Sequence, residues 1–171
     1  MRADSWILHE LPERLVADWY NLQIFTEYDL QVATYYWLRR EFERTRSKQW
    51  LVRTQPILNL AGDKSVKPDV VVFKNTLPYD VFELKCHLGG IRESLLDTDL
   101  EKLHRLKDRF NLRHAYQLVL YDADDVWDLA YDKEPWMKRY LTFVGANVRR
   151  HVHGRMRRGY HRARQRWERW K

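Results

Sequence analysis

The sequence predicts a single α/β domain with its elements in the order α-β-β-β-α-β. Two stretches of helical periodicity, about residues 27–46 and 92–110, bracket three short runs of strand character, and a fourth such run follows the second helix. With 171 residues the chain is long enough for one hydrophobic core without a disulfide or metal staple. Its 44% apolar and 32% charged residues are the balance of a globular chain and not of a disordered one.

Residues 9–22 place Leu11, Leu15 and Trp19 on one face of a short helix. The next helix has a start signal, because Thr26 followed three residues later by Asp29 matches a capping box. Leu30, Ala33, Trp37 and Leu38 then recur at helical spacing, and Phe42 adds a turn. After that the period changes. Residues 49–60 read as a strand with Pro56 at a bend or an edge position. Residues 67–73 are β-branched, 74–78 carry turn chemistry and 79–86 form a third strand, so the last two strands make a hairpin. Gly89 and Gly90 end this antiparallel block. Leu95, Leu96, Leu100, Leu103, Leu106 and Phe110 supply the apolar face of the helix at 92–110, and residues 115–121 are the fourth strand. Pro135, tolerated in a first helical turn, opens a last helix carrying Met137, Tyr140, Leu141 and Val144.

Several classes are excluded at this level. The longest apolar runs, such as 70–73 and 118–120, are far too short to span a bilayer. Asp4, His9 and Glu10 interrupt the first apolar stretch, so the expected location is cytoplasmic or nucleoid-associated, not secreted and not membrane-bound. Cys86, the single cysteine, can form neither an internal disulfide nor a thiolate zinc site. The net charge of +7 is unevenly spread. Residues 149–171 hold nine Arg and one Lys against Glu168, a net of +9, which leaves 21 bases and 23 acids, a net of −2, in residues 1–148. Chemistry in the body must therefore come from placed residues and not from bulk charge.

Strand parity places Val81, Glu83 and Lys85 on one face and Phe82, Leu84 and Cys86 on the other. Glu83 and Lys85 are then neighbours on a strand that looks central and covered on both faces, which partly desolvates them. Asp69 opens the preceding strand, and the hairpin carries it to the same end of the sheet. The competing reading is a turn-shaping aspartate beside a solvated Glu-x-Lys pair.

Pro68-Asp69 followed by Glu83-Leu84-Lys85 resembles the PD-(D/E)XK nuclease superfamily. The predicted element order, over about residues 26–121, resembles the restriction-endonuclease-like core of that superfamily. The resemblance implies a mixed four-stranded sheet within a nuclease-like domain at 1–148, with a C-terminal helix and the basic tail of 149–171 outside the core. It also implies that Asp69 and Glu83 hold Mg²⁺, or Mn²⁺ in its place, with the Leu84 carbonyl as a further ligand. Lys85 would then orient the attacking water or stabilise the scissile phosphate. The implied activity is endonucleolytic cleavage of DNA, with a homodimer or sequential nicking needed to cut both strands. Cleavage of branched DNA or RNA by the same site, and a non-catalytic nucleic-acid-binding subunit, are the alternatives. An adaptor for acidic proteins is a third class.

Other residues are read against plainer roles. Many members of the superfamily add an acid from the first core helix, which here implies Glu27 or its rival Glu41, although an acid in a first turn also simply favours the helix dipole. Gln55, in the first strand, and His87, on the parity of Glu83, would touch substrate or be structural. Asp99 and Lys102 resemble a helix pattern of some restriction-like nucleases, but Leu100 and Leu103 mark the packing face and leave the charges on a solvated one. Gln117 and Tyr121 have the spacing of a RecB-like Gln-x-x-x-Tyr motif, which is helical there and reads as a strand here. Asp122, Asp124, Asp125 and Asp128 read as a helix cap before a second metal site, and His151 with His153 is a poor zinc arrangement.

The tail interleaves Arg149, Arg150, Arg155, Arg157, Arg158, Arg162, Arg164 and Arg166 with Tyr160, Trp167 and Trp170. Guanidinium forks suit phosphates and aromatic rings stack on bases, so the expected partner is nucleic acid, DNA first. If about six phosphates are neutralised, log K against log salt has a slope near −5. Deleting residues 149–171 should weaken DNA affinity and flatten that slope in a fluorescence titration at several salt concentrations. Equal affinity at every salt would show that the tail is not the DNA arm.

Overall fold

The computed structural model describes residues 6–44, 49–60, 64–87, 93–122 and 141–148. A π-helical turn, Trp6–Glu10, leads into α1 (Leu11–Tyr20), with Leu11, Leu15 and Trp19 all buried as their spacing predicts. α2 (Glu27–Arg44) begins at the expected capping box. Asp29 N–H donates to Thr26 Oγ1 at 3.1 Å, and Thr26 N–H donates to Asp29 Oδ2 at 2.9 Å. Each side chain thus satisfies a backbone donor that the first helical turn would leave unpaired.

The strand expected at 49–60 divides in two. β1 (Trp50–Thr54) ends where Gln55 takes a positive φ of 44° ahead of Pro56. Gln55 therefore lies just past the first strand and not in it. β2 (Leu58–Asn59) then pairs with β3 (Ser65–Val66) in a separate two-stranded ladder. β4 (Val70–Lys74) and β5 (Leu77–His87) form the expected hairpin. Its two-residue loop, Asn75-Thr76, has positive φ at both positions (49° and 69°), which matches the right-handed twist of the flanking strands. Pro78 is accommodated at a register shift between Val72 and Phe73.

α3 (Glu93–Phe110) carries the chain over to β6 (His114–Tyr121), which runs parallel to β5. A fifth strand, β7 (Leu141–Asn147), lies parallel to β6, so the sheet is mixed and ordered β1-β4-β5-β6-β7. This corrects two expectations: among the described residues the sheet has five strands and not four, and Leu141 and Val144 belong to a strand and not to a C-terminal helix. The spacing of Leu141 and Val144 suits a helix, but parallel pairing with β6 makes a strand, burying Val144 and Ala146 on one parity. Residues 134–140 lie outside the described residues, as does the tail.

β5 is hydrogen-bonded on both edges and covered on both faces. Phe82 and Leu84 join Val70, Val72 and the buried side chains of α1 and α2. Val81 joins Val71, Ala115 and Leu103 and Leu106 of α3. The parity read from the sequence is therefore the parity of the two cores. No described helix is long and apolar enough to cross a membrane.

Replacing the cap, Thr26→Ala, should cost about 1 kcal/mol, read as a fall of about 2–4 °C in melting temperature. A melting point that does not move would show that Asp29 alone caps α2.

Candidate functional site

The β4–β5 ladder stops where Pro68 would have to continue it. Carrying the register of Val70 opposite Phe82 two steps further sets Asp69 opposite Glu83 and Pro68 opposite Leu84. Proline has no N–H to give to a ladder. Beyond the last ladder pair the Asp69 side chain reaches across, and its Oδ2 accepts the Leu84 N–H at 2.8 Å. The Asp69 carbonyl is fixed as well, accepting Gln31 Nε2 from α2 at 2.9 Å and the Gln55 N–H at 2.9 Å.

Glu83 is 1% exposed. Its Oε2 accepts a 2.7 Å hydrogen bond from Lys102 Nζ of α3, and its Oε1 is buried with no hydrogen-bond partner. Burial pushes the Glu83 carboxyl up to about 8; Lys102 opposes that shift, while Asp69 and Asp99 add to it. Lys85 lies two residues on, its Nζ 3.0 Å from Asp99 Oδ2 of α3 and 3.4 Å from Glu27 Oε1 of α2. Burial alone would lower the Lys85 pKa, but Asp99, Glu27 and Asp69 more than reverse this and leave it above its ordinary value. Lys85 is thus an ammonium at neutral pH, a donor and not a base. Glu27 has a raised pKa, through burial and through Asp69 and Asp99, partly offset by Lys85.

The structure therefore brings Asp69, Glu83, Lys85 and Glu27 together at one end of the sheet. Glu41 is excluded from this group, since fourteen residues along a helix is about 21 Å. At Leu84 the backbone N–H is held by Asp69 Oδ2, on the strand edge that the Leu84 carbonyl shares. His87 sits half-buried on the predicted parity, its pKa lowered by burial and by Lys85. Cys86 points the other way, with its thiol pushed up to about 12 by burial, which removes it as a nucleophile at neutral pH. Asp122 donates its N–H to the His87 carbonyl at 3.4 Å. Asp124, Asp125, Asp128, His151 and His153 lie outside the described residues.

One expectation is overturned. Asp99 and Lys102 do not occupy a solvated face; they pair with Lys85 and Glu83. The reason is helical geometry: Asp99 is one turn before Leu103 and Lys102 one turn before Leu106, so the charges extend the packing stripe itself. Sequence reasoning missed Gln31 altogether, and for Gln117 it missed the place beside Glu83. Gln31 is a buried amide on the apolar face of α2, and Gln117, fully buried, stands opposite Glu83 in the β5–β6 register. A polar side chain interrupting a buried stripe was the available signal for both. Tyr121 closes β6, so the Gln117–Tyr121 spacing does belong to a strand.

All the donors gathered here are oxygens, which suits a hard cation, and Glu83 Oε1 is a buried acceptor without a proton donor. Among the described residues no three His, Cys, Asp or Glu side chains converge into a ready metal cage. Mg²⁺ needs no such cage, as it commonly binds one or two carboxylates and keeps several waters. The residues present thus fit a magnesium-type site more readily than a zinc-type one. No family model and no curated protein matches the chain.

The shifted carboxyl gives a pH signature. Glu83 ionises near 4.5 in the unfolded chain but holds its proton to about 8 when folded. The folded state binds more protons in that window, so stability falls as pH rises through it. Glu83→Gln should remove this decline from metal-free urea-unfolding free energies measured between about pH 5 and pH 8. An unaltered decline would assign the titration to another group.

Proposed function

We propose that the chain is a divalent-metal-dependent DNA endonuclease of the PD-(D/E)XK type with a restriction-endonuclease-like core. The supporting observation is the convergence of Asp69, Glu83 and Lys85, contributed by two strands, at the point where the β4–β5 ladder ends. In this reading Asp69 and Glu83 would hold Mg²⁺, which when bound would supply a water of lowered pKa and neutralise charge on the phosphate. Lys85 donates to the scissile phosphate or the attacking water, and Asp99 and Glu27 keep it charged for that task. Glu27, more exposed than Glu83 and with a raised pKa, is the group placed to take up a proton from solvent-side water. Hydrolysis adds hydroxide to phosphorus, breaks one ester bond and leaves the proton on the departing alkoxide. One such site cuts one strand, so cutting a duplex requires a second copy or a second encounter.

One observation favours a second reading. Glu83 and Lys85 are both engaged by α3, through Lys102 and Asp99. A site locked by these pairs would bind nucleic acid without cutting it. Incubating the protein with plasmid, branched DNA and RNA, each with Mg²⁺, Mn²⁺ or EDTA, separates the two. Cleavage should require the metal, vanish in Asp69→Asn and fall by about 100- to 1,000-fold in Lys85→Met. Metal-dependent cutting that survives both substitutions would refute the site assignment, and binding without cutting under every condition would establish the non-catalytic subunit.

A further inference from the structure

A groove of about 460 Å³ lies between α2 and β1, the edge strand of the sheet. Tyr35, Arg39 and Phe42 line one wall at helical spacing, and Trp50, Arg53 and Thr54 line the other. Two guanidinium groups and the rings of Tyr35, Phe42 and Trp50 line it, with no carboxylate among the described lining residues; Arg53 comes from the face of the edge strand opposite to Trp50. Arg39 is steadied by a 3.1 Å hydrogen bond from its Nη1 to Tyr35 Oη. At the far end Lys74 Nζ stands 5.4 Å from the centroids of both the Trp50 and Tyr79 rings, adding a third cation.

The helix and the strand that wall the groove also lead to the candidate site. Glu27, Gln31, Tyr35 and Arg39 are spaced by four residues and form one ridge of α2. The first two touch the site, Glu27 through Lys85 and Gln31 through the Asp69 carbonyl; the last two line the groove. On the opposite wall β1 leads to Gln55, whose N–H also binds the Asp69 carbonyl. Gln31 to Arg39 spans about 12 Å along the helix, the length of three or four stacked nucleotides at ~3.4 Å each.

We infer that this groove binds a single strand of nucleic acid next to the scissile phosphate, with bases against Trp50 and Tyr35 and phosphates on Arg39 and Arg53. The choice of nucleic acid as occupant rests on the proposed nuclease function; the groove, its charge and the elements that lead from it to Asp69 do not. Cations that track a backbone beside rings that accept any base are the chemistry of strand binding without sequence preference. A peptide added to the edge of β1 is the competing occupant, and only one with acidic side chains would use the paired arginines.

The test is fluorescence anisotropy of a labelled single-stranded oligonucleotide of about 12 nucleotides with the full chain in EDTA. Trp50→Ala should weaken binding about 5- to 150-fold, with Trp50→Phe retaining most of the affinity. Arg39 and Arg53 are exposed, so the variant Arg39→Ala/Arg53→Ala should fold normally and flatten the log K against log salt slope by about 1.4. Photocrosslinked thymidines should map to residues 35 and 50. Unchanged affinity and slope in the double arginine variant, or crosslinks confined to the tail, would overturn the groove. Because binding is read without metal, the two proposals fail separately. Groove-dependent binding without cleavage rejects only the nuclease, and cleavage with groove-independent binding rejects only the groove.

Discussion

A carboxylate buried on a strand that is paired on both edges and covered on both faces constrains everything packed around it. The carboxyl of Glu83 cannot be hydrated there, which raises its pKa and calls for a donor at its oxygens. α3 brings Lys102 to its Oε2. That commits the helix to a rotation in which Leu103 and Leu106 face Val81 and Ala115, and it carries Asp99 to Lys85. Lys85 in turn holds Glu27 from the opposite layer. One buried acid thus fixes the rotation of α3 and links both helical layers through alternating charge.

The second constraint comes from the end of a ladder. The β4 pairing ends at Val70, ahead of Pro68, which has no N–H to give to a ladder, and beyond it the Leu84 N–H donates to the Asp69 side chain. A residue held through both its side chain and its carbonyl, as Asp69 is by Leu84, Gln31 and Gln55, keeps a defined position. Such fixing of a carboxylate by its neighbours is what a metal-binding or phosphate-facing group requires. The proposed groove uses the same scaffold, since the α2 ridge that supports Asp69 continues into Tyr35 and Arg39.

Much of this was legible in the chain. The Thr26-to-Asp29 start of α2, the tight turn between β4 and β5, and the opposite facing of Glu83 and Phe82 follow from local rules that act over a few residues. The misreadings have a common source. A helix was expected over Leu141 and Val144 because their spacing suits that period, yet pairing with β6, twenty or more residues away, made a strand. Asp99 and Lys102 were assigned to solvent because charge usually is. Only the buried Glu83 across the interface gave Lys102 a reason to turn inward.

The sequence by itself determined the α/β class, the order of the main elements through β6 apart from the small β2–β3 ladder, and the parity that separates the two cores. It also determined which three residues would meet at the end of the hairpin. These depend on periodicity and on contacts short enough along the chain for spacing to encode them. Tertiary structure decided the fifth strand, the engagement of α3 with the charged face, the anchoring of Asp69 by Gln31 and the groove beside β1. Each of these joins residues distant in sequence, and no local pattern records the desolvation or the missing ladder partner that draws them together.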